Sequence, residues 1–243
     1  MNTMRHFPAL ILNARPGSGK SEVLHYLESI SPEERLKRFH IGPMLVLDDF
    51  PMLWAWFEED DLLERVFGRD RLHSDSDGYF LYEDLWHLLI RRLSLEYEKN
   101  RRDLGPEPTI LIEFSRGTEH GGYQKAYQHL SEQVLRDAAV LYLHVSYAES
   151  LRKNRQRFNP DRPDSILEHG LSDEKLERLY KEDDWKDFTS RDAEWIHVRN
   201  RMIPYVVFEN EDDVTTPGGE PLGERLEDTL NSLWKLWLRR QAV

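Results

Sequence analysis

The chain has 243 residues, enough for one large α/β domain with a real core, and no long Pro/Gly/Ser-rich linker divides it. Charged residues make up 32% and hydrophobic residues 39%, and the net charge of −12 works against a polyanion, so a nucleic-acid partner is not expected unless a local basic patch overrides it. With no cysteine, disulfides, thiolate catalysis and Cys-type zinc sites are excluded; the short apolar run at Ala9–Asn13 falls short of a signal-peptide core, no stretch reaches membrane-spanning length, and the expectation is a cytoplasmic protein with no membrane partner.

In chain order, Ala9 to Leu12 reads as a short buried strand, followed by the run Ala14 to Ser21 and an amphipathic helix over Glu22–Ile30 that stops at Ser31-Pro32. Pro43 to Leu47 reads as a second buried strand ending at Asp48-Asp49. An aromatic-rich helix is expected over Met52–Phe67, a polar loop over Gly68–Gly78, and a helix over Tyr79–Lys99 with leucines on one face. Thr109 to Ile112 is a third strand ending at Glu113, Tyr123 to Ala138 a helix, and Ala139 to Val145 a fourth strand. A basic helix over Tyr147–Phe158, a loop over Asn159–Gly170 and a helix over Asp173–Lys181 follow. Tyr205 to Phe208 is a fifth strand, Glu209 to Glu220 an acidic loop, and Leu222 to Arg239 a last helix. Strands alternating with helices predict a mostly parallel five-stranded sheet with helices on both faces, a three-layer α/β fold, in which ligands sit beyond the carboxyl ends of the strands. The whole of 1–243 is expected to be one domain, with a helical insertion near 52–103 on the acceptor side and a lid-like segment near 147–185.

The run Ala14-Arg15-Pro16-Gly17-Ser18-Gly19-Lys20-Ser21 fits G-x-x-x-x-G-K-[ST], with Ala14 at the first glycine position. Backbone N–H groups of such a loop curl around phosphate oxygens, the lysine meets the β- and γ-phosphates, the serine hydroxyl reaches Mg²⁺, and the following helix turns its positive end toward the anion. A strand before and a helix after supply the required context. The expected ligand is a nucleoside triphosphate, with ATP and Mg²⁺ as the default.

The other candidates fall at strand ends too. Asp48 and Asp49 can take a proton from an acceptor hydroxyl or hold Mg²⁺ through water; alternatively one of them is a helix N-cap. Glu113 stands where such proteins place a metal-side carboxylate, and is assigned with Ser21 to the Mg²⁺. Arg116 lies at the mouth of the expected cleft, suited to gripping a phosphate. Arg152 and Arg155 share a helix face in a basic cluster that extends to Arg162; they either close over the triphosphate or pair with nearby acids. Trp54, Trp56, Phe57 and Trp86 line an acceptor pocket or, as is commoner for aromatics at helical spacing, belong to the core. His144 reads as a satisfied core residue.

Pro16 to Ser21 resembles the phosphate loop of adenylate kinases, within the P-loop kinase group that includes other nucleoside and nucleotide kinases, and Phe114-Ser115-Arg116-Gly117-Thr118 with Tyr123-Gln124-Lys125-Ala126 is similar to further elements of that family. The resemblance implies the P-loop NTPase fold, an Arg116 that grips an acceptor phosphate, a Gln124 that contacts its base and a basic lid helix over Arg152–Arg157. Leu47-Asp48-Asp49-Phe50 instead looks like uridine and nicotinamide riboside kinases, which implies an aspartate that activates a hydroxyl of a non-phosphorylated acceptor. The expectation is an ATP-dependent kinase of a small molecule, a nucleoside or nucleotide by resemblance; the alternative is an NTPase or nucleotide-binding switch without such an acceptor.

Overall fold

A computed structural model describes residues 5–157 and 171–242. The expected loop over Asn159–Gly170, and Arg162 within it, lie outside the described residues. Strands β1 (Ala9–Ala14), β2 (Met44–Asp48), β3 (Thr109–Phe114), β4 (Ala138–His144), β5 (Trp195–Val198) and β6 (Arg201–Glu209) form one sheet in the order β2-β3-β1-β4-β6-β5. All neighbours run parallel except β5 and β6. The sheet therefore has six strands, one more than expected.

The additional strand has a local cause. Trp195-Ile196-His197-Val198 alternates in burial, with Ile196 and Val198 inward, and pairs back on β6 through a two-residue turn at Arg199-Asn200. Arg199 there adopts φ +51°, and its guanidinium donates to the carbonyls of Gln128 and Leu130 and pairs with Glu132. No Gly-bearing turn signal announces this hairpin.

Alternation along the central strands divides the core into two layers. Ala9 and Ile11 face one side with Ile110, Ile112 and Tyr142. Leu10 and Leu12 face the other with Leu111, Leu141 and Leu143. The first layer is covered by α4 (Asp84–Leu104), α5 (Gly122–His129) and α6 (Glu132–Asp137); the second by α1 (Lys20–Ser29), α2 (Pro32–Phe39) and the long C-terminal α10 (Gly219–Gln241). This is a three-layer α/β fold. Strand β2 lies at the sheet edge and is half-buried rather than fully buried.

Ser31-Pro32, which ends α1, also starts α2: the Ser31 hydroxyl accepts from the Glu34 N–H, and Pro32 occupies the first turn, where its missing N–H costs nothing. The helix expected over Tyr123–Ala138 is two, because Ser131 caps a new one at Val134. Helix α3 (Phe50–Phe67) leads into α4 through a segment pinned by Asp60, whose buried carboxylate accepts N–H groups of Leu72, His73 and Ser74 and the Ser74 hydroxyl. Residues 79–83 are consequently outside α4, with Ser74 bridged to Phe80. Helices α7 (Tyr147–Arg157), α8 (Asp173–Tyr180) and α9 (Trp185–Phe188) complete the fold at the carboxyl end of β4 and beyond. Among the described residues no helix is long and apolar enough to cross a membrane.

Candidate functional site

The candidate phosphate loop, residues 14–21, connects β1 to α1. Gly17 and Gly19 adopt φ +73° and +102°, a region that L side chains rarely enter, and a Cβ at Gly19 would meet the Thr215 hydroxyl at 2.5 Å. The Ala14 position makes no such demand. It ends β1 with no positive φ, is fully buried, and its carbonyl accepts from the Tyr123 hydroxyl. Alanine in place of glycine is therefore compatible with the loop. Arg15 turns away from the phosphate side: it donates to the carbonyls of Val145 and Tyr180 and pairs with Asp183 at 2.6 Å, so it anchors the loop to the body.

Behind the loop stands a polar brace that the acidic stretch after β6 did not announce. Asn210 Nδ2 donates to the Ser18 carbonyl at 2.9 Å and to Thr215 Oγ1 at 2.8 Å. Lys153 Nζ donates to Thr215 Oγ1 at 2.9 Å and to Asp213 at 2.7 Å. On the loop's inner side, Lys20 Nζ donates to Ser115 Oγ at 3.0 Å and lies 3.6 Å from Glu113. The buried Ser18 hydroxyl has no hydrogen-bond partner among the described residues.

The strand-end carboxylates meet because β2 and β3 are parallel and in register, with Asp48 opposite Glu113. Burial, then the charges of Glu113 and Asp49, push the Asp48 carboxyl up to about 7. Burial raises Glu113 as well, against the pull of Lys20. The two aspartates have separate partners. Asp48 Oδ1 accepts the Phe50 N–H at the start of α3, whereas Asp49 occupies the N-cap position but makes no side-chain cap and pairs instead with Arg116 at 2.7 Å.

Arg116 is 2% exposed. Besides Asp49, it donates to the carbonyls of Ser115 and Trp86 and stacks over the Trp86 and Phe114 rings. It lines the cavity while held on several sides.

One cavity of about 720 Å³ connects these groups. Its phosphate end is formed by Pro16 to Ser21, its floor by Asp48, Asp49, Glu113 and Arg116, and its far end by an aromatic box that includes Trp54, Phe57, Phe80, Trp86 and Tyr180. Three of the four singled-out aromatics thus line the cavity rather than only the core; Trp56 instead stacks on His73 with centroids 4.9 Å apart. Arg152 and Arg155 are not in the lining. Arg152 pairs with Glu149 and Asp213, and Arg155 with Asp173, both in exposed positions. The same helix reaches the cavity through Lys153, Asn154 and Arg157. Gln124 is exposed, its N–H given to Asp184, and it does not line the cavity. His144 is half-exposed at the end of β4 and pairs with Glu209 at 2.8 Å, so it is not a core residue.

The structure fits a nucleoside triphosphate: glycines in left-handed conformations, a buried lysine and the first turn of a ten-residue helix converge on one space. For a magnesium ion the donor set is sparse. Ser21 and Glu113 both line the cavity, and among the described residues no group of three His, Asp or Glu is disposed to hold a metal.

No protein-family model matches the sequence, and no curated protein matches it either. Among solved structures, the chain is similar to a shikimate kinase from Acinetobacter baumannii in complex with shikimate (13% identity, TM-score 0.45, 98% of this chain and 96% of that one). It is also similar to a sugar kinase from Janibacter sp. (12% identity, TM-score 0.44, 94% of each chain).

Proposed function

We propose that this protein is an ATP-dependent kinase of a small-molecule acceptor in the P-loop kinase group. The observation that carries this reading is the single cavity in which Lys20 and the phosphate loop meet Asp48 and Glu113 and then open into an aromatic box. A hydrolase needs room only for water beyond the γ-phosphate; this site has room for a second molecule.

In the reaction, the loop and Lys20 hold the β- and γ-phosphates, and the cations supplied by Lys20 and the mouth of the cavity meet charge that develops on the transferring group. Ser21 and Glu113 are the residues that would hold a magnesium ion, which would supply positive charge against the phosphates. Asp48 accepts the proton as the acceptor oxygen bonds to the γ-phosphorus and ADP leaves. A carboxyl near 7 is matched to that task at neutral pH. Asp49 and Arg116 act together as a buried pair that shapes the acceptor side.

The test is ADP release from Mg-ATP by wild type and Lys20→Ala, with and without pooled nucleosides, nucleoside monophosphates, sugars and vitamins. Release that requires one pool, with a phosphorylated product, and that disappears in the variant supports the kinase. Acceptor-independent release of the same magnitude favours a hydrolase or switch. ATP binding unchanged in Lys20→Ala overturns the whole assignment; the expected loss is roughly 100-fold in affinity.

A further inference from the structure

Arg15 belongs to the run that carries the phosphate loop, yet its charge is spent elsewhere. Pro16 to Ser21 line the cavity and Arg15 does not. Its guanidinium uses all three nitrogens on the body of the protein. Nε donates to the Tyr180 carbonyl at 3.1 Å, Nη1 to the Val145 carbonyl at 3.1 Å and Nη2 to the Lys181 carbonyl at 3.2 Å, while Nη2 also pairs with Asp183 at 2.6 Å. The two side chains of that pair are 15% and 9% exposed. Two of the carbonyls stand at the C-terminal end of α8, where a cation offsets the negative end of the helix.

The stretch that Arg15 grips, residues 180–184, also holds the acceptor-side turn. The Glu182 carbonyl accepts the Thr118 N–H at 2.9 Å. The Asp184 carboxylate accepts the N–H groups of Tyr123 at 2.6 Å and Gln124 at 3.0 Å, at the start of α5. Gly117, next to Arg116, is pressed onto the same stretch: a Cβ there would lie 1.9 Å from the Leu179 carbonyl oxygen, so only glycine fits. The circuit then closes, because the Tyr123 hydroxyl donates to the Ala14 carbonyl at 3.1 Å, one residue before Arg15. Loop, 180–184 stretch and turn thus form one closed set of hydrogen bonds. In such a set, ordering one member lowers the entropy that remains to be lost by the others.

Resting on the kinase reading, we propose that Arg15 is a positioning residue that couples the two ends of the site: nucleotide held by the loop stiffens the turn over 117–124 through residues 180–184, and the ordered turn favours nucleotide in return.

Amide hydrogen exchange tests this with no acceptor present, using a non-hydrolysable ATP analogue with Mg²⁺ as the probe. In wild type the analogue is expected to slow exchange over 17–23 and, by about fivefold or more, over 117–124. Arg15→Met keeps the side-chain stem and removes the guanidinium. It is expected to keep the protection over 17–23 and to lose the added protection over 117–124. Arg15→Lys keeps a charge for Asp183 but cannot reach three carbonyls at once, and is expected to fall between. A purely structural arginine would loosen 117–124 equally with and without the analogue; coupling is the difference between the two. Protection confined to the loop in wild type, or the same remote protection in Arg15→Met, overturns the inference and leaves nucleotide binding intact. No protection over 17–23 in wild type sinks the kinase reading and this inference with it. Where Arg15→Met fails to melt cooperatively or to bind the analogue, Asp183→Asn cuts the same link with the loop untouched: remote protection lost supports the coupling, and remote protection kept overturns it.

Discussion

Asp48 and Asp49 are adjacent in sequence yet differ in environment. Asp48 faces Glu113 across the β2–β3 register, and its carboxyl, raised to about 7, is more protonated in the folded than in the unfolded chain. Stability from this group is therefore present at low pH and declines as pH rises from about 4 through about 7. Asp48→Asn removes that loss. The variant is expected to melt a few degrees higher than wild type at pH 8, for a gain on the order of 1–2 kcal/mol, and to match it near pH 4, while phosphotransfer collapses. Paired thermal scans at the two pH values check the sign. In wild type, turnover limited by chemistry is expected to rise with pH through about 7 as Asp48 becomes a base. Asp49 has the opposite character: Asp49→Ala strands the Arg116 guanidinium among Trp86, Phe114 and buried carbonyls, at an expected cost of about 3–5 kcal/mol in urea unfolding. The double variant Asp49→Leu with Arg116→Met is expected to recover most of that stability. Local sequence exposes both aspartates as candidates, but it does not distinguish them, because the difference comes from partners 65 to 67 positions away.

At the scale of elements, the connection between α3 and α4 depends on one carboxylate. Burial would push Asp60 up, but the Leu72 N–H, the Ser74 hydroxyl and N–H, and the His73 N–H together hold it down at about 2. Its contribution is present above the ordinary aspartate range and is lost only as pH falls toward about 2. Asp60→Ala leaves three backbone donors without their acceptor and is expected to cost about 3 kcal/mol, with faster amide exchange over 69–80 as the local sign. The polar composition of that segment identifies a loop, whereas the clamp that orders it requires the turn at the end of α3 to be known. The basic helix illustrates the reverse problem. The sequence reading places the start of α7 at Tyr147, where it is observed, but a run of cations does not reveal which of them finds an acid. Arg152 and Arg155 do so in exposed positions, whereas Lys153, between them, pairs with Asp213 and Thr215 in a buried one.

For the whole molecule, five of the six strands and the turn at Gly17–Gly19 are legible because strands of a parallel sheet read as short aliphatic runs, and because the glycines mark where backbone must curl. The sixth strand is four residues long with an arginine in its turn, and it carries no such mark. The aromatic wall is ambiguous for a physical reason: a side chain that lines a dry pocket obeys the same helical spacing as one that fills a core. A ligand that binds only the assembled loop must stabilise the entire fold. ATP at 100 times its dissociation constant is expected to add about 2.7 kcal/mol, several degrees in melting temperature, and the shift is expected to vanish in Lys20→Ala.

The brace behind the phosphate loop also sets an order of events during synthesis. Residues 14–21 emerge early, but the Ser18 carbonyl waits for Asn210, which is 192 positions later, and Arg15 waits for Val145, Tyr180 and Asp183. A nascent chain that already carries the whole nucleotide motif therefore lacks the support that shapes it. On the kinase reading, ATP capture is expected only once residues 210–215 have left the ribosome, so that nucleotide binding would report a loop whose supports are in place.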